Sequence, residues 1–209
     1  LQEARWRERI PAVVRRTLLR GLGRSWPKAD WLPRVLRAKT RLTNLSLSPD
    51  QAYANTLSIC RLPLRRRLLG GDVVRQLNGH DPEEIIRQHY ACADPRDPLA
   101  GMISADVGVL LPDDFLTKVD RASMAFGLEV RPPLVDHELL ELAAQIPSEL
   151  KVHRGETKWI LKQTYADRLP DCVMRRGKQC FEIPVDQWLR GPLRDVFGET
   201  VLAPSARVG

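Results

Sequence analysis

Apolar residues follow a helical spacing along nearly all of this 209-residue chain. The clearest case begins in the stretch LLPDDFLTKVDRASMA, residues 110–125, where Phe115, Val119, Ala122 and the following Phe126 recur at the intervals of one helix face. No run rich in Val, Ile and Thr alternates apolar and polar residues as a half-buried strand would. The spacing therefore predicts a mostly α fold, and we expect the Phe115 face to pack against a core.

Prolines and capping residues mark the predicted helix starts. Ser48 before Pro49 predicts a helix over residues 49–59, because serine caps a helix and proline suits its first turn. Another helix is predicted over residues 98–110. Pro112 is then expected at the first position of the next helix, where its missing N–H removes no hydrogen bond.

The basic charge balance raises the question of an anionic partner. The chain carries 33 Lys and Arg against 26 Asp and Glu, a net charge of +7, and many of the arginines fall in its first third. A basic helical module that binds nucleic acid is one interpretation. A solvated arginine face is another, and an acidic region of a longer parent chain that covers the arginines is a third. No groove-reading helix or base-stacking aromatic set accompanies the charge, so we expect no nucleic-acid partner.

Targeting and membrane signals are not apparent in this sequence. The opening residues LQEARWRERI have no initiator Met, basic n-region or apolar h-region, which suggests a piece of a longer protein without a signal peptide. The longest apolar run is much shorter than the roughly 20 residues that span a bilayer. The four cysteines form no C-x-x-C pair. We therefore expect a cytoplasmic protein with reduced thiols and no membrane partner.

Charged residues surround the apolar face of the helix after Pro112. Lys118 and Arg121 share another side of this helix, and Asp114 lies four residues before Lys118, at the spacing of an ion pair. These residues, together with Asp120, are interpreted either as a solvated face with weak ion pairs or as part of a site.

The segment that follows combines charge with proline. Residues 129–136 are predicted to be extended, because a residue before proline is driven out of the α region. Glu129 and Arg131 on this rigid segment either hold a charged group in place or pair with each other. Asp136 is predicted to cap the helix over residues 137–145.

Two basic segments near the end of the chain are candidates for binding an anion. Lys158 is expected in the first turn of a helix, where a cation opposes the dipole, and it lies four residues from Lys162. A lysine in that position is a candidate for holding a phosphate or an oxyanion, and a plain surface lysine is the alternative. The loop with Arg176 and Lys178 either folds over an anionic ligand or is exposed.

Three ordered segments resemble one known family. LLPDDFLTKVDRASMAFGLEVRPPLVDHELLELAAQIP, GETKWILKQTYADRLP and RRGKQCFEIPVDQWLRGPLR are similar to the C-terminal synthetase domain of the glutamine-hydrolysing asparagine synthetases. The resemblance covers about residues 100–195. It implies a single fragment of that domain over residues 1–209, with variable arginine-rich helices over 1–95, family core helices over 96–195 and a tail over 196–209.

The resemblance implies a reaction and roles for residues. In such a parent enzyme ATP activates the side-chain carboxylate of aspartate as an acyl-adenylate, and ammonia released from glutamine converts it to asparagine. Lys158 matches the lysine at the adenylation site, where a fixed cation would stabilise developing charge. Other matching positions, expected to bind the substrate or to brace its pocket, are Asp106, Asp120, Arg121, Glu129, Arg131, Asp136, Arg176 and Lys178.

The sequence also departs from the family pattern. Gly177, Cys180 and Glu182 stand where a proline and glycines are usual, so we expect a different backbone in that loop. The glutaminase domain, the Ser-Gly-Gly-x-Asp-Ser loop for pyrophosphate and the acidic segment for Mg-ATP are missing from these residues. The expected chain is thus the helical C-terminal part of an α/β domain, inactive by itself, whose ATP and Mg are bound mainly by residues absent here.

The resemblance leaves the substrate and the assembly open. Relatives on the same scaffold close β-lactam rings or join other acids and amines, and a free-standing scaffold or partner subunit is a further alternative. An apolar or basic face left exposed would favour self-association, with a homodimer as one expected form.

Overall fold

The computed structural model describes residues 2–26, 38–177 and 183–203. These residues are mostly helical, with one small two-stranded sheet, which confirms the predicted fold class. The chain divides into two compact units, Leu1–Thr157 and Lys158–Gly209. The boundaries near residues 95 and 195 that the resemblance implies stay predictions.

Helices account for most of both units. In the described residues of the first unit, the α-helices are Gln2–Arg9, Ala12–Val14, Arg20–Ser25, Lys39–Ser46, Pro49–Leu57, Leu62–Leu68, Gly71–Gln76, Glu84–Ala91, Pro98–Ala105, Thr117–Met124, His137–Gln145 and Ser148–Lys151. The same residues also form the π-helices Arg15–Leu19 and Asp106–Leu116 and the 3-10 turn Pro133–Val135. The second unit contains the α-helices Trp159–Thr164, Asp171–Met174, Val185–Arg190 and Arg194–Val201. None of the described helices is long and apolar enough to cross a membrane.

Local capping signals place helix starts where the sequence predicts them. The helix Pro49–Leu57 begins after Ser48, whose N–H donates to the Gln51 side chain at 3.4 Å in a capping box. It ends two residues before the predicted boundary. The carboxylate of Asp136 accepts from the N–H of Glu138 at 3.0 Å, which confirms this residue as the cap of the helix His137–Gln145.

The sequence did not predict the hairpin before Lys158. Strands β1 (Val152–His153) and β2 (Glu156–Thr157) pair antiparallel across the turn Arg154-Gly155. Both turn residues have positive φ, 50° and 89°, as the mirror-image turns of two-residue hairpins require. The strands are too short for an alternating pattern to appear in the sequence.

The prediction of a new helix at Pro112 is wrong. The helix that begins at Pro98 continues without a break as the π-helix Asp106–Leu116 and then as the α-helix Thr117–Met124, and we call residues 98–124 the long helix. In an α-helix a proline ring clashes with the carbonyl four residues earlier, so the wider π turn accommodates Pro112 better. The Thr117 hydroxyl also donates to the Pro112 carbonyl at 2.7 Å.

A buried asparagine joins the early helices of the first unit. Asn44 has 2% of its surface exposed. Its side-chain oxygen accepts from Asn55 at 2.7 Å, and its side-chain nitrogen donates to Thr56 at 3.0 Å and to Glu3 at 3.3 Å. Arg7 donates to its backbone carbonyl at 2.8 Å. The helices Gln2–Arg9, Lys39–Ser46 and Pro49–Leu57 therefore share one polar junction.

The long helix lies very close to the helix Glu84–Ala91. A Cβ atom on Gly101 would lie 2.6 Å from the Tyr90 ring, and one on Gly108 would lie 2.2 Å from the His89 ring. The Ser104 hydroxyl donates to the His89 carbonyl at 2.7 Å between these two contacts. Small residues on this side of the long helix therefore permit the approach.

The apolar face of Phe115, Val119, Ala122 and Phe126 is not covered by the described residues. Phe115 has 51% of its surface exposed and Phe126 has 84%, while Val119 and Ala122 are also exposed. The prediction that this face packs against a core is therefore wrong for the described structure. Spacing identifies an apolar face, but it does not tell which segment covers that face.

Replacing Asn44 by alanine is expected to lower the free energy of unfolding by about 2 kcal/mol, because the part-buried hydrogen bonds to Asn55 and Thr56 are lost. Urea unfolding followed by circular dichroism measures the change. Gln88→Ala, on an exposed helix position, is the matched control and should change stability little. Equal stability of Asn44→Ala and wild type would contradict the junction.

Gly108→Ala is expected to destabilise the chain by about 1–3 kcal/mol, because the added methyl group overlaps the His89 ring. Gly21→Ala is its control, since no atom lies within 4 Å of a Cβ at that helical position. The control should raise stability slightly, as alanine favours helix over glycine. Thermal unfolding of both variants tests the contrast, and a stable Gly108→Ala would argue against the close approach.

Candidate functional site

The predicted site residues of the first unit lie along the long helix and the segment after it. Asp106 opens the π-helix, and Asp120 and Arg121 lie in the α-helical end, Thr117–Met124. Glu129 and Arg131 follow in the segment 129–132, which the sequence predicts to be extended. These residues therefore occupy one continuous stretch, but each has its own surroundings. The 3-10 turn Pro133–Val135 lies within the predicted extended range 129–136, so that prediction is wrong for its last part.

Asp106 is held by a residue that the sequence did not indicate. The Tyr53 hydroxyl donates to the Asp106 carboxylate, and the Tyr53 ring lies 6.0 Å from that of Tyr90 at a tilt of 48°. Burial raises the pKa of Tyr53, and the hydrogen bond to Asp106 raises it further. No local pattern signals this pair, because the two residues are 53 positions apart in the chain.

Asp97 ties the start of the long helix to the helix Ser148–Lys151. Its carboxylate caps the long helix through the N–H groups of Leu99 and Ala100 and also accepts from the Ser148 hydroxyl. Burial raises the pKa of Asp97, but these three hydrogen bonds outweigh burial and hold the pKa below its ordinary value. This contact fixes one end of the stretch that carries the candidate site.

The predicted ion pair on the long helix is present and weak. Lys118 Nζ lies 3.6 Å from the Asp114 carboxylate and 5.0 Å from the centroid of the Phe115 ring. Both charged side chains are 62% exposed, so water screens their attraction. The solvated-face interpretation therefore holds for this pair.

Glu129 and Arg131 pair with each other. Arg131 Nε donates to the Glu129 carboxylate at 2.7 Å, and both side chains are exposed. Of the two interpretations that the sequence left open, the structure shows the mutual pair. In this arrangement neither residue holds another charged group.

A groove lies beside Asp120. It has a volume of about 390 Å³ between the long helix and the extended segment after it. Its walls are Pro112, Leu116, Thr117, Val119, Asp120, Val130 and Pro132. Within the described part of the chain, no cation or donor pairs with the Asp120 carboxylate. We call this feature the Asp120 groove.

Lys158 opens the second unit in an unusual backbone conformation. It is exposed, with φ 58° and ψ 31°, and it occupies the N-cap position of the short helix Trp159–Thr164 without a side-chain capping hydrogen bond. The sequence predicts Lys158 within the first turn of this helix, but the residue lies just before that turn. A left-handed conformation costs a residue other than glycine about 1–2 kcal/mol, and such strain often occurs at functional sites.

The basic loop is described only in part. Arg176 is exposed and lies just after the helix Asp171–Met174, whose first residue pairs with Arg175 at 3.0 Å. Lys178 lies outside the described residues, as do Cys180 and Glu182. The two alternatives for this loop, folded over an anionic ligand or exposed, stay predictions.

The described residues do not fit a magnesium site. Among them, no group of three or more His, Cys, Asp and Glu side chains is close enough to hold a metal ion. The carboxylates of Asp106 and Glu129 instead accept from Tyr53 and Arg131. We therefore assign no Mg²⁺ ligand to this part of the chain.

Comparison with known proteins identifies the family. The family model for asparagine synthase matches residues 2–208, so this chain belongs to the asparagine synthase family. No solved structure gives a significant match.

Two relatives show how much of a family member the chain represents. A putative glutamine-hydrolysing asparagine synthetase of Mycobacterium bovis is 30% identical over 163 residues, which are 76% of this chain and 24% of that protein. The glutamine-hydrolysing asparagine synthetase 1 of Bacillus subtilis is 25% identical over 189 residues, which are 90% of this chain and 28% of that protein. The chain thus spans about a quarter of the length of these relatives.

Tyr53→Phe is expected to reduce the loss of stability at alkaline pH. The raised pKa of the folded phenol means that its contribution is full below the ordinary value of 10.0 and is lost as the pH rises through the folded pKa. Urea unfolding at pH 9, 10 and 11 should show a steeper decline for wild type than for the variant. Tyr165→Phe is the control, and identical declines in wild type and Tyr53→Phe would refute the prediction.

Proposed function

We propose that this chain is part of an ATP-dependent ligase that forms amides. The observation that carries the proposal is the family match over residues 2–208, together with relatives named as glutamine-hydrolysing asparagine synthetases. Since the chain spans about a quarter of those relatives, we infer that a longer protein performs the reaction and that this part is inactive alone.

The proposed reaction has two steps. The side-chain carboxylate of aspartate attacks the α-phosphorus of ATP, which gives an acyl-adenylate and releases pyrophosphate. The nitrogen of ammonia, supplied from glutamine, then attacks the acyl carbon, AMP leaves with the bonding electron pair, and loss of a proton gives asparagine. We infer that ATP and Mg are bound mainly outside this chain and that the enzyme acts in the cytoplasm.

Lys158 is the proposed catalytic residue of this part. Negative charge builds on phosphate oxygens in the first step and on the acyl oxygen in the second, and a fixed cation stabilises both. The exposed amine of Lys158 is available for such a ligand, and its left-handed backbone is the kind of strain that occurs at functional sites. Arg176 and Lys178 would supply further positive charge to the same anion.

The acidic and paired residues of the first unit have a supporting role in this proposal. The Tyr53 hydrogen bond fixes Asp106, and the Glu129–Arg131 pair stiffens the segment after the long helix. We infer that Arg121 and Asp120 contribute to the substrate surface. We infer that a homodimer would cover part of the exposed Phe115 face, because exposed apolar residues that lie together often mark an interface.

A second candidate substrate pair is favoured by the Asp120 groove. A related ligase would join a different acid to an organic amine, and the groove is larger than ammonia requires. Its apolar walls would suit the carbon chain of such an amine, whereas ammonia has no apolar part.

Lys158→Gly tests the catalytic proposal in the full-length protein. Glycine adopts the left-handed conformation without cost, so the variant removes the amine and preserves the backbone. Pyrophosphate release from ATP with aspartate and ammonia should fall at least about 100-fold, in line with the loss of one group that stabilises the transition state. Thermal stability should stay equal or rise.

Arg168→Ala is the matched control, because it removes an exposed cation of the second unit that has no proposed role. Its pyrophosphate release should equal that of wild type. Unchanged release in Lys158→Gly would return Lys158 to the surface-lysine interpretation. Release that depends on another acid and not on aspartate would favour the second candidate.

A further inference from the structure

We propose that the Asp120 groove binds a primary alkylammonium group, with the charged nitrogen at Asp120 and the alkyl chain along the apolar walls. The biological use of such a site rests on the second candidate, a related ligase that joins an acid to an organic amine, and the site names the class of that amine. Binding itself needs no ATP and no turnover, so it can be measured separately from the reaction.

The polar side chains that line the groove, Asp120 and Thr117, offer acceptors. The carboxylate of Asp120 only accepts hydrogen bonds when ionised. The hydroxyl hydrogen of Thr117 is already donated to the Pro112 carbonyl at 2.7 Å, so the remaining lone pair of that oxygen also accepts. A ligand that complements this pair must donate, and a primary ammonium group carries three donors and a positive charge.

Nearby cations do not neutralise the groove. Lys118 does not line the groove, and its amine lies 3.6 Å from Asp114 and 5.0 Å from the centroid of the Phe115 ring. Arg131 is engaged by Glu129. Arg121 is adjacent to Asp120 in the chain, and adjacent helix residues do not face the same side. Among the described residues, therefore, no cation occupies the Asp120 carboxylate, and it is open to a ligand.

The walls define the rest of the ligand. Leu116, Val119 and Val130 present aliphatic carbon, and Pro112 and Pro132 close the groove at the π-helix and at the extended segment. A water-sized molecule such as ammonia takes up about 30 Å³, far less than the groove volume of about 390 Å³. An alkyl chain of a few carbons would cover the apolar walls that ammonia would leave in contact with water.

Methyl NMR of the 209-residue chain tests the proposal with n-butylammonium chloride as the probe. Butylammonium should shift the methyl resonances of Leu116, Val119 and Val130 in a saturable manner. Butanol, which lacks the charge, and butyrate, which reverses it, should bind more weakly at the same resonances. Equal shifts with butanol would overturn the proposal, because the groove would then bind apolar carbon alone.

Two variants, each lacking one carboxylate, test whether Asp120 is the residue that binds the ammonium group. Asp120→Asn should weaken butylammonium binding about fivefold, the effect of losing one partly exposed ion pair. Asp113→Asn removes an exposed acid of the same helix that does not line the groove, so it should bind like wild type. Equal affinities of Asp120→Asn and wild type would overturn the assignment.

The remaining measurements separate folding from binding. If Asp120→Asn loses the dispersed NMR spectrum of a folded protein, the wild type is titrated with butylammonium at two salt concentrations instead. An ion pair weakens with salt and apolar contact does not, so the salt dependence of the affinity tests the ammonium site. A wild-type affinity that is independent of salt would then refute the ammonium site. Failure of the Lys158 test leaves this result untouched, because butylammonium binding uses only residues 112–132.

Discussion

The buried amide of Asn44 is the interaction on which the first unit most depends. It joins three helices that have little apolar core between them, since the small side chains Ala52 and Ala54 are the buried apolar residues of this region. A buried amide without partners would cost more than the same volume of apolar side chain. Because Asn44 finds partners on both neighbouring helices, the arrangement of these helices is specified by hydrogen-bond geometry more than by the area of apolar contact.

A second long-range contact connects this junction to the candidate site. Tyr53 lies between the buried residues Ala52 and Ala54 of the helix Pro49–Leu57, and its hydroxyl reaches Asp106 at the start of the π-helix. The arginine-rich first part of the chain is therefore not a separate attachment. It supplies the hydrogen bond that orients the first residue of the π-helix, which makes the early helices part of the support for any chemistry along residues 106–131.

Local signals in the sequence predicted local features well. Ser48 and Asp136 begin helices because a side-chain oxygen satisfies free N–H groups within three residues, and Asp114 meets Lys118 because four residues make one helical turn. The Tyr53–Asp106 bond and the groove beside Asp120 depend on which elements meet, so no short pattern shows them. The prediction of a helix start at Pro112 failed for a related reason. The clash that makes proline rare inside a helix arises in α geometry, and Pro112 lies in a π-helix.

The π-helix also sets the angle about the helix axis between Asp106 and Asp120. In an unbroken α-helix, residues 106 and 120 would lie within about 40° of the same face, because 14 steps of about 100° come to nearly four full turns. Each turn of a π-helix contains more residues, so the stretch over 106–116 delays the rotation and turns the two carboxylates apart. Asp106 consequently meets Tyr53 while Asp120 meets the groove. The π-helix acts as an angular spacer that lets one continuous helix serve two different environments.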